Sequence, residues 1–174
     1  MNEKQTEKKM LKTISTALAL FIASPAFAES VPISGNVSSK CTVYTDVAGV
    51  YGNPTPDQLS TDSADGGIDP IVRYDVTVAD YYTAKISWPN EFASSPSLSD
   101  ALNWDGEVTV SSTSDTGMAG YEAAKVEYDN VTEYDLTVAG STWFAVDSSV
   151  SYGYEKSFPG GNYVANVTAE CIAN

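Results

Sequence analysis

Short runs of alternating apolar and polar residues constrain the fold of this chain more than any other feature. In the segment 72–78, Val72, Tyr74 and Val76 share one face, and residues 82–88 alternate in the same way. A period of two residues is typical of a half-buried β-strand. The same pattern predicts further strands at 31–37, 40–47, 106–112, 122–128, 132–139, 142–152 and 162–172. Short strands at this spacing predict an all-β fold, and their uneven lengths favour a single antiparallel β-sandwich over a barrel.

The segments between the predicted strands contain turn residues rather than long helices. Residues 53–69, rich in Pro, Ser, Asp and Gly, form the longest stretch without a predicted strand. One helical turn is predicted around Leu98 to Leu102, with Ser97 or Ser99 as its cap. The hexapeptide 74–79 recurs at 134–139 with a single difference. Because the flanking residues do not match, we attribute the repeat to a shared strand role rather than to duplication.

Residues 1–28 have the parts of a secretory signal peptide. Lys8, Lys9 and Lys12 form a positive region before a short apolar run, Ile14 to Ile22, and Ala26-Phe27-Ala28 forms the small-x-small pattern of a cleavage site. The apolar run is much shorter than the roughly 20 residues of a membrane-spanning helix. We therefore expect an exported protein, periplasmic or extracellular at the cell surface, with no transmembrane segment after cleavage. The mature chain, 29–174, is expected to form one β-sandwich domain.

The mature chain would be strongly acidic and without histidine. The leader removes four of the nine basic and two of the 23 acidic residues, which leaves five basic and 21 acidic residues and a net charge of −16. Such a surface repels nucleic acid, so no nucleic-acid partner is expected. The absence of histidine excludes Ser-His-Asp and Cys-His catalysis, and two cysteines alone do not hold zinc. We expect a protein that is not an enzyme and that carries no cofactor.

The chain has two cysteines, Cys41 and Cys171, one near each end of the mature sequence and 130 positions apart. An even number of cysteines in an exported protein predicts a disulfide. Two free thiols, or a bridge between two chains, are the alternatives. Cys171 shares the apolar face of the last predicted strand, and Cys41 shares a parity with Val37 and Val43. Both cysteines are therefore expected to point into the same core.

Two sets of residues are candidates for ligand binding. Asp62, Asp65 and Asp69 lie in a Gly-containing acidic segment that offers oxygen ligands for calcium, but the spacing of an EF-hand loop is absent. We interpret this segment as an Asp-Gly turn and expect no metal. Tyr81, Trp104 and Trp143 are candidates for a sugar-stacking platform. Aromatic residues also fill β-sandwich cores, and exposure of the rings distinguishes the two interpretations.

The mature chain resembles the major subunits of bacterial chaperone–usher fimbriae of the colonisation-factor type. The similarity extends over residues 31–172 as a pattern: an early strand at 33–37, paired central strands at 72–76 and 84–88, a Pro-x-Leu-x-x-x-Leu loop at 96–102, and a Gly-x-Tyr-x-x-x-Val segment at 161–167. The resemblance implies an incomplete immunoglobulin-like sandwich that is completed by a strand from a neighbour's N-terminus. It also implies like subunits or a periplasmic chaperone as partners.

The cysteines depart from that family pattern. A strand inserted between two others separates them by roughly 9.5 Å, whereas a disulfide holds its Cα atoms within about 7 Å. A bridge between the two walls of the groove would therefore close it. The cysteines can also lie past the end of the groove, or on a strand that crosses between sheets. Residues 29–36 are the available free arm, and they are few.

The sequence thus favours an exported, non-enzymatic structural or adhesive subunit of a fimbrium-like assembly. A monomeric carbohydrate- or ligand-binding β-sandwich is the alternative, and a hydrolase with paired carboxylates is the third possibility. An open groove between the terminal strands is the structural feature that favours assembly.

Overall fold

A computed structural model describes residues 33–34, 40–154 and 156–174. The predicted signal peptide, 1–28, lies outside these residues, as does the predicted strand 31–37 apart from Ile33 and Ser34. The folded body, Val37–Asn174, forms one compact unit. Its strands are β1 (Cys41–Val47), β2 (Gly52–Thr55), β3 (Gln58–Ser60), β4 (Ile71–Val76), β5 (Tyr82–Ser87), β6 (Leu102–Thr113), β7 (Val126–Tyr128), β8 (Val131–Asp135), β9 (Gly140–Tyr152) and β10 (Thr168–Ala173).

The strands form two antiparallel sheets that pack together, which confirms the predicted all-β sandwich. In the first sheet the order is β1-β4-β9-β3-β2, and β6 pairs with β9 along almost its whole length. In the second sheet the order is β10-β5-β8-β7. The only helical turns in the described part of the chain are α1 (Tyr121–Ala124) and two 3-10 turns, Ser63–Asp65 and Thr116–Met118. None of these is long or apolar enough to cross a membrane.

Three aromatic residues in contact with one another form the centre of the core. The ring of Phe144 in β9 lies 5.5 Å from that of Tyr74 in β4 and 4.5 Å from that of Tyr134 in β8. The Tyr74 hydroxyl donates to the carbonyl oxygens of Lys85 and Glu170, and the Tyr134 hydroxyl donates to that of Val108 at 2.8 Å. Each tyrosine therefore reaches the backbone of the opposite sheet, and burial raises the pKa of both. The repeated hexapeptide marks these two equivalent core positions.

The predicted strand at 122–128 is wrong in its first half. The chain there forms the single turn α1, and only Val126–Tyr128 is a strand. Tyr121 is buried and its hydroxyl accepts the amide of Val138, while the Glu122 carboxylate accepts the amide of Val110. These tertiary hydrogen bonds favour a helical turn that alternation alone does not indicate.

Other predicted boundaries also differ from the structure. The stretch 53–69, which was predicted to lack strands, contains most of the β2–β3 hairpin and a 3-10 turn. Pro54 is tolerated within β2 because β2 is an edge strand. The helical turn expected around Leu98 is absent, and the backbone there is irregular until β6 begins at Leu102. The last strand begins at Thr168 rather than at residue 162, because within the described residues the segment 162–167 has no neighbouring strand and forms a single bridge, between Val164 and Ser94.

Candidate functional site

The disulfide joins the edges of the two sheets. Cys41 begins β1 and Cys171 lies in β10, and their Cα atoms are 6.3 Å apart. Both residues pack against the core, as their parity with neighbouring apolar residues predicted. The bridge between the first and last described strands is therefore confirmed, and it ties the two sheets together along one side of the sandwich.

Beyond the bridge, the two tied segments separate and enclose a groove of about 700 Å³. One wall is formed by Thr45 and by Ala48 to Tyr51, and the other by Gly161 to Val167. Leu59 and Val72, both nearly buried, lie at its base. The groove thus begins four positions from each cysteine and extends away from the disulfide.

The two strands that lead into the groove walls, β1 and β10, each have an unpaired edge. Within the described residues, β1 pairs with β4 alone and β10 pairs with β5 alone. Because backbone N–H and C=O groups at an edge remain available, each edge can accept a further strand. Two apolar side chains that line the groove are also exposed: Val50 is 51% and Val164 is 49% exposed. Unpaired strand edges therefore adjoin the uncovered apolar surface of the groove.

The polar groups in the base of the groove are engaged with one another. The hydroxyls of Tyr51 and Ser148 are 3.1 Å apart, and the Ser148 amide donates to the Thr61 hydroxyl at 2.9 Å. Thr61 in turn donates to the Asp69 carboxylate at 2.6 Å. Burial raises the pKa of Tyr51, and its hydrogen bond with Ser148 opposes that rise. An occupant of the groove therefore need not supply a partner for these groups.

The three aromatic candidates do not meet at one site. Trp104 pairs with Val150 at one end of the β6–β9 ribbon and packs edge-on against Phe92, whereas Trp143 lies at the other end, opposite Ser112. Tyr81, which is 57% exposed, lies in the β4–β5 connection, where its carbonyl accepts the amide of Asn174. No two of these rings form a platform together.

Trp143 instead belongs to a row that the sequence analysis missed. Tyr44, Arg73 and Trp143 are cross-strand neighbours on β1, β4 and β9. The Arg73 guanidinium lies 4.7 Å from the centre of the Tyr44 ring and 6.0 Å from that of Trp143. The protein's own cation therefore occupies the position over these rings that a stacking ligand would take. The residues share a parity in their strands, but sequence alone does not give the register that aligns them.

A second concavity, of about 610 Å³, is strongly acidic. Its carboxylates are Asp62, Asp65, Asp105, Glu107, Glu127, Asp129 and Asp147. Burial raises the pKa of Asp147, and the charges of Asp69, Asp62, Asp105 and Glu107 raise it further. This surface, which we call the acidic cleft, is a concentration of negative charge in an already acidic protein.

The calcium candidates have local structural roles. Asp62 caps the 3-10 turn by accepting the amide of Ala64 at 2.7 Å, and Asp69 accepts the Thr61 hydroxyl. Asp62 and Asp65 line the acidic cleft, but Asp69 does not. Across the described ranges, no three acidic or cysteine side chains are grouped in a way that would hold a metal ion. The turn interpretation accounts for the hydrogen bonds of this segment.

Comparison of the chain with protein-family models, with curated proteins and with solved structures found no match. The features that bear on function are therefore the geometry of the groove and the sequence that precedes β1.

Proposed function

We propose that this protein is an exported structural subunit that assembles with copies of itself by strand addition, as fimbrial subunits do. The observation that carries the proposal is the groove between the segment that follows β1 and the segment 161–167 that precedes β10, next to the unpaired edges of those two strands. An extended segment placed in it would bond to backbone groups of the segment 161–167 other than those of Val164, which bond to Ser94, and would cover the exposed valines. The compartment that fits this role is the periplasm or the cell surface, and adhesion would be a property of the assembled fibre.

The occupant we assign is residues 31–37 of a second copy. Val31, Ile33 and Val37 share one parity with Gly35, so an extended segment presents three apolar side chains on one face. Ile33 is 99% exposed, so its side chain offers apolar surface that a partner can bury. At about 3.3 Å per residue, seven extended residues span roughly 23 Å, the same length as the seven residues 161–167 of the groove wall.

Charge supports the same assignment. Two copies with a net charge of −16 each repel one another, and the repulsion opposes any broad contact between their surfaces. The segment 30–39, however, contains no charged residue. A short uncharged arm can therefore enter a neighbour's groove while the two acidic bodies stay apart. Backbone hydrogen bonds between the arm and the groove supply the rest of the contact, and they do not depend on side-chain charge.

The test compares the mature chain with two arm variants. Sedimentation velocity and gel electrophoresis in mild denaturant should find denaturant-resistant oligomers for the unaltered chain. Ile33→Asp would place a charge against the base of the groove and should leave the protein monomeric. Ser34→Asp places the same charge on the opposite face of the arm and should still assemble. An unaltered chain that stays monomeric at high concentration would contradict the proposal and favour a monomeric ligand-binding module, which a glycan array would then probe.

A further inference from the structure

We infer that the Cys41–Cys171 disulfide acts as a stop that limits the inserted strand to about seven residues, an inference that rests on the proposed function. A strand lying between two others separates their backbones by roughly 9.5 Å. At the bridge, the Cα atoms of the two flanking strands are 6.3 Å apart. No strand can therefore pass between β1 and β10 at this point while the bridge is intact.

The position of the stop follows from the groove walls. The first lining residues beyond the bridge are Thr45 on one wall and Val167 on the other. Residues 161–167 line the open groove, with the Val164 backbone already bonded to Ser94, and Thr168–Ala173 pair with β5. The Glu170 carbonyl oxygen already accepts the Tyr74 hydroxyl at 3.1 Å, so a second contact holds β10 close to the first sheet beside the bridge. The closed and open parts of this edge meet between Val167 and Thr168.

The consequence is selection of the partner by length. An extended, uncharged segment of about seven residues fills the open edge. Additional residues on the side of the disulfide would overhang without backbone partners and would contribute little to affinity. The segment 31–37 of a second copy matches this limit, whereas its flanking residues remain outside the groove.

Hydrogen exchange tests the stop without altering either cysteine. The acceptor is the mature oxidised chain carrying Ile33→Asp, so that its own arm does not compete, and the probe is a synthetic peptide of residues 29–39. Exchange followed by NMR should show new protection among the amides of 161–167. The amides of β10 that face away from β5 should exchange at an unchanged rate. Protection that extends through Cys171 would overturn the stop alone, whereas no new protection anywhere would overturn the proposed function and the stop together.

A length series gives a second readout. Peptides 31–37 and 29–39 should bind the oxidised chain with affinities within about threefold of each other, because the extra residues find no partners. In a Cys41→Ala/Cys171→Ala acceptor shown by circular dichroism to be folded, the longer peptide should gain about tenfold or more, the effect of one or two further hydrogen bonds. A tenfold gain in the oxidised chain would overturn the inference. If the double variant does not fold, the oxidised series and the exchange experiment decide.

Discussion

The indole Nε1 of Trp143 donates a hydrogen bond of 2.6 Å to the Asp46 carboxylate, and this bond reaches across the strand that separates β9 from β1. The same Oδ2 atom accepts Arg73 Nη1 at 3.1 Å. β1 is therefore fixed from both sides: the disulfide holds it through the core, and Asp46 holds it on the outer face of the sheet. Because β1 leads into one wall of the groove, this double attachment keeps that wall in place before any partner arrives.

Asp46→Ala should weaken the attachment of β1 on the outer face. Trp143 loses its acceptor and Arg73 loses one of its two carboxylates, since Asp75 remains 3.1 Å from Nε. The Nε–H does not point at Asp75 well enough to form a hydrogen bond, so Asp75 compensates only in part. We expect a loss of about 1–2 kcal/mol in the free energy of unfolding, measured by urea denaturation. Glu91→Ala, which removes an exposed carboxylate, serves as the control. Equal effects of the two substitutions would contradict the role of Asp46 in holding β1.

Removal of the disulfide should cost considerably more. The bridge closes a loop of 130 residues, and loop-closure entropy assigns roughly 5 kcal/mol to a loop of this size. Cys41→Ser and Cys171→Ser should each lower the free energy of unfolding by several kcal/mol, and the double variant should be no worse than either single one. Mass spectrometry after alkylation of the intact unaltered protein should find no free thiol. Labelling of both cysteines would contradict the bridge.

Lys125 holds α1 and β7 against β6 through three carboxylates. Its Nζ lies 2.9 Å from Glu122, 3.0 Å from Glu107 and 3.0 Å from Glu127, and its side chain is 15% exposed. Burial acts to lower the pKa of Lys125, but these three hydrogen bonds outweigh it, so that the pKa is raised. A raised lysine pKa contributes its full stabilisation below the unfolded value of about 10.4 and loses it only in strong alkali.

Lys125→Met should therefore lower the melting temperature by a similar amount at all values between about pH 6 and pH 9. The free energy of unfolding should fall by about 1–2 kcal/mol at low ionic strength, because three carboxylates are left facing one another. This loss should shrink as salt is added. Lys156→Met is the control, since Lys156 is 55% exposed and, among the described carboxylates, pairs with Asp100 alone, at 3.4 Å. A loss that does not respond to salt would mean that Lys125 acts through packing rather than charge.

The core strands were predictable from alternation because one face of each strand is buried in the core and the other face is not. Tyr74 and Phe144 lie in strands whose alternate residues are buried, and the predicted ranges differ from the observed ones by one or two residues. Alternation indicates which face is buried, but it does not indicate whether a neighbouring strand exists. The segment 162–167 has the alternating exposure of a strand, and alternation therefore predicts one there. It has no neighbouring strand among the described residues, so it is not part of β10.

The candidate site was predictable only in part for the same reason. The pairing of Cys41 with Cys171 followed from their number and positions, and their shared parity placed them in the core. The base of the groove did not follow, because Leu59 and Thr61 belong to, or follow directly after, a strand of three residues in a stretch dominated by turn residues. The row of Tyr44, Arg73 and Trp143 depends on the register of three strands, which sequence alone does not give.

Asp147→Asn should stabilise the protein at neutral pH. Burial and then the charges of Asp69, Asp62, Asp105 and Glu107 raise the pKa of Asp147. A carboxyl with a raised pKa binds its proton more tightly in the folded state, so it lowers stability as the pH rises through that pKa. The free energy of unfolding of the variant should be higher by about 0.5 kcal/mol at pH 7, after allowance for solvent screening, and unchanged below about pH 3. Glu91→Gln is the control, and thermal denaturation measures the stability of both variants. An equal gain in stability in acid would contradict the electrostatic cause.

Gly106→Ala should destabilise the protein because the backbone of β6 comes very close to two neighbours. A Cβ atom at this position would lie 2.7 Å from the Asp147 carbonyl oxygen and 2.9 Å from the Trp88 ring. Trp88 packs against the core from the second sheet, so relief of the clash requires the β6–β9 ribbon to shift against the other sheet. We expect a loss of about 1–3 kcal/mol in urea denaturation. Gly160→Ala is the matched control, since nothing lies within 4 Å of its added Cβ, and it should be neutral or slightly stabilising. If both substitutions were tolerated equally, the close packing of Trp88 on Gly106 would be contradicted.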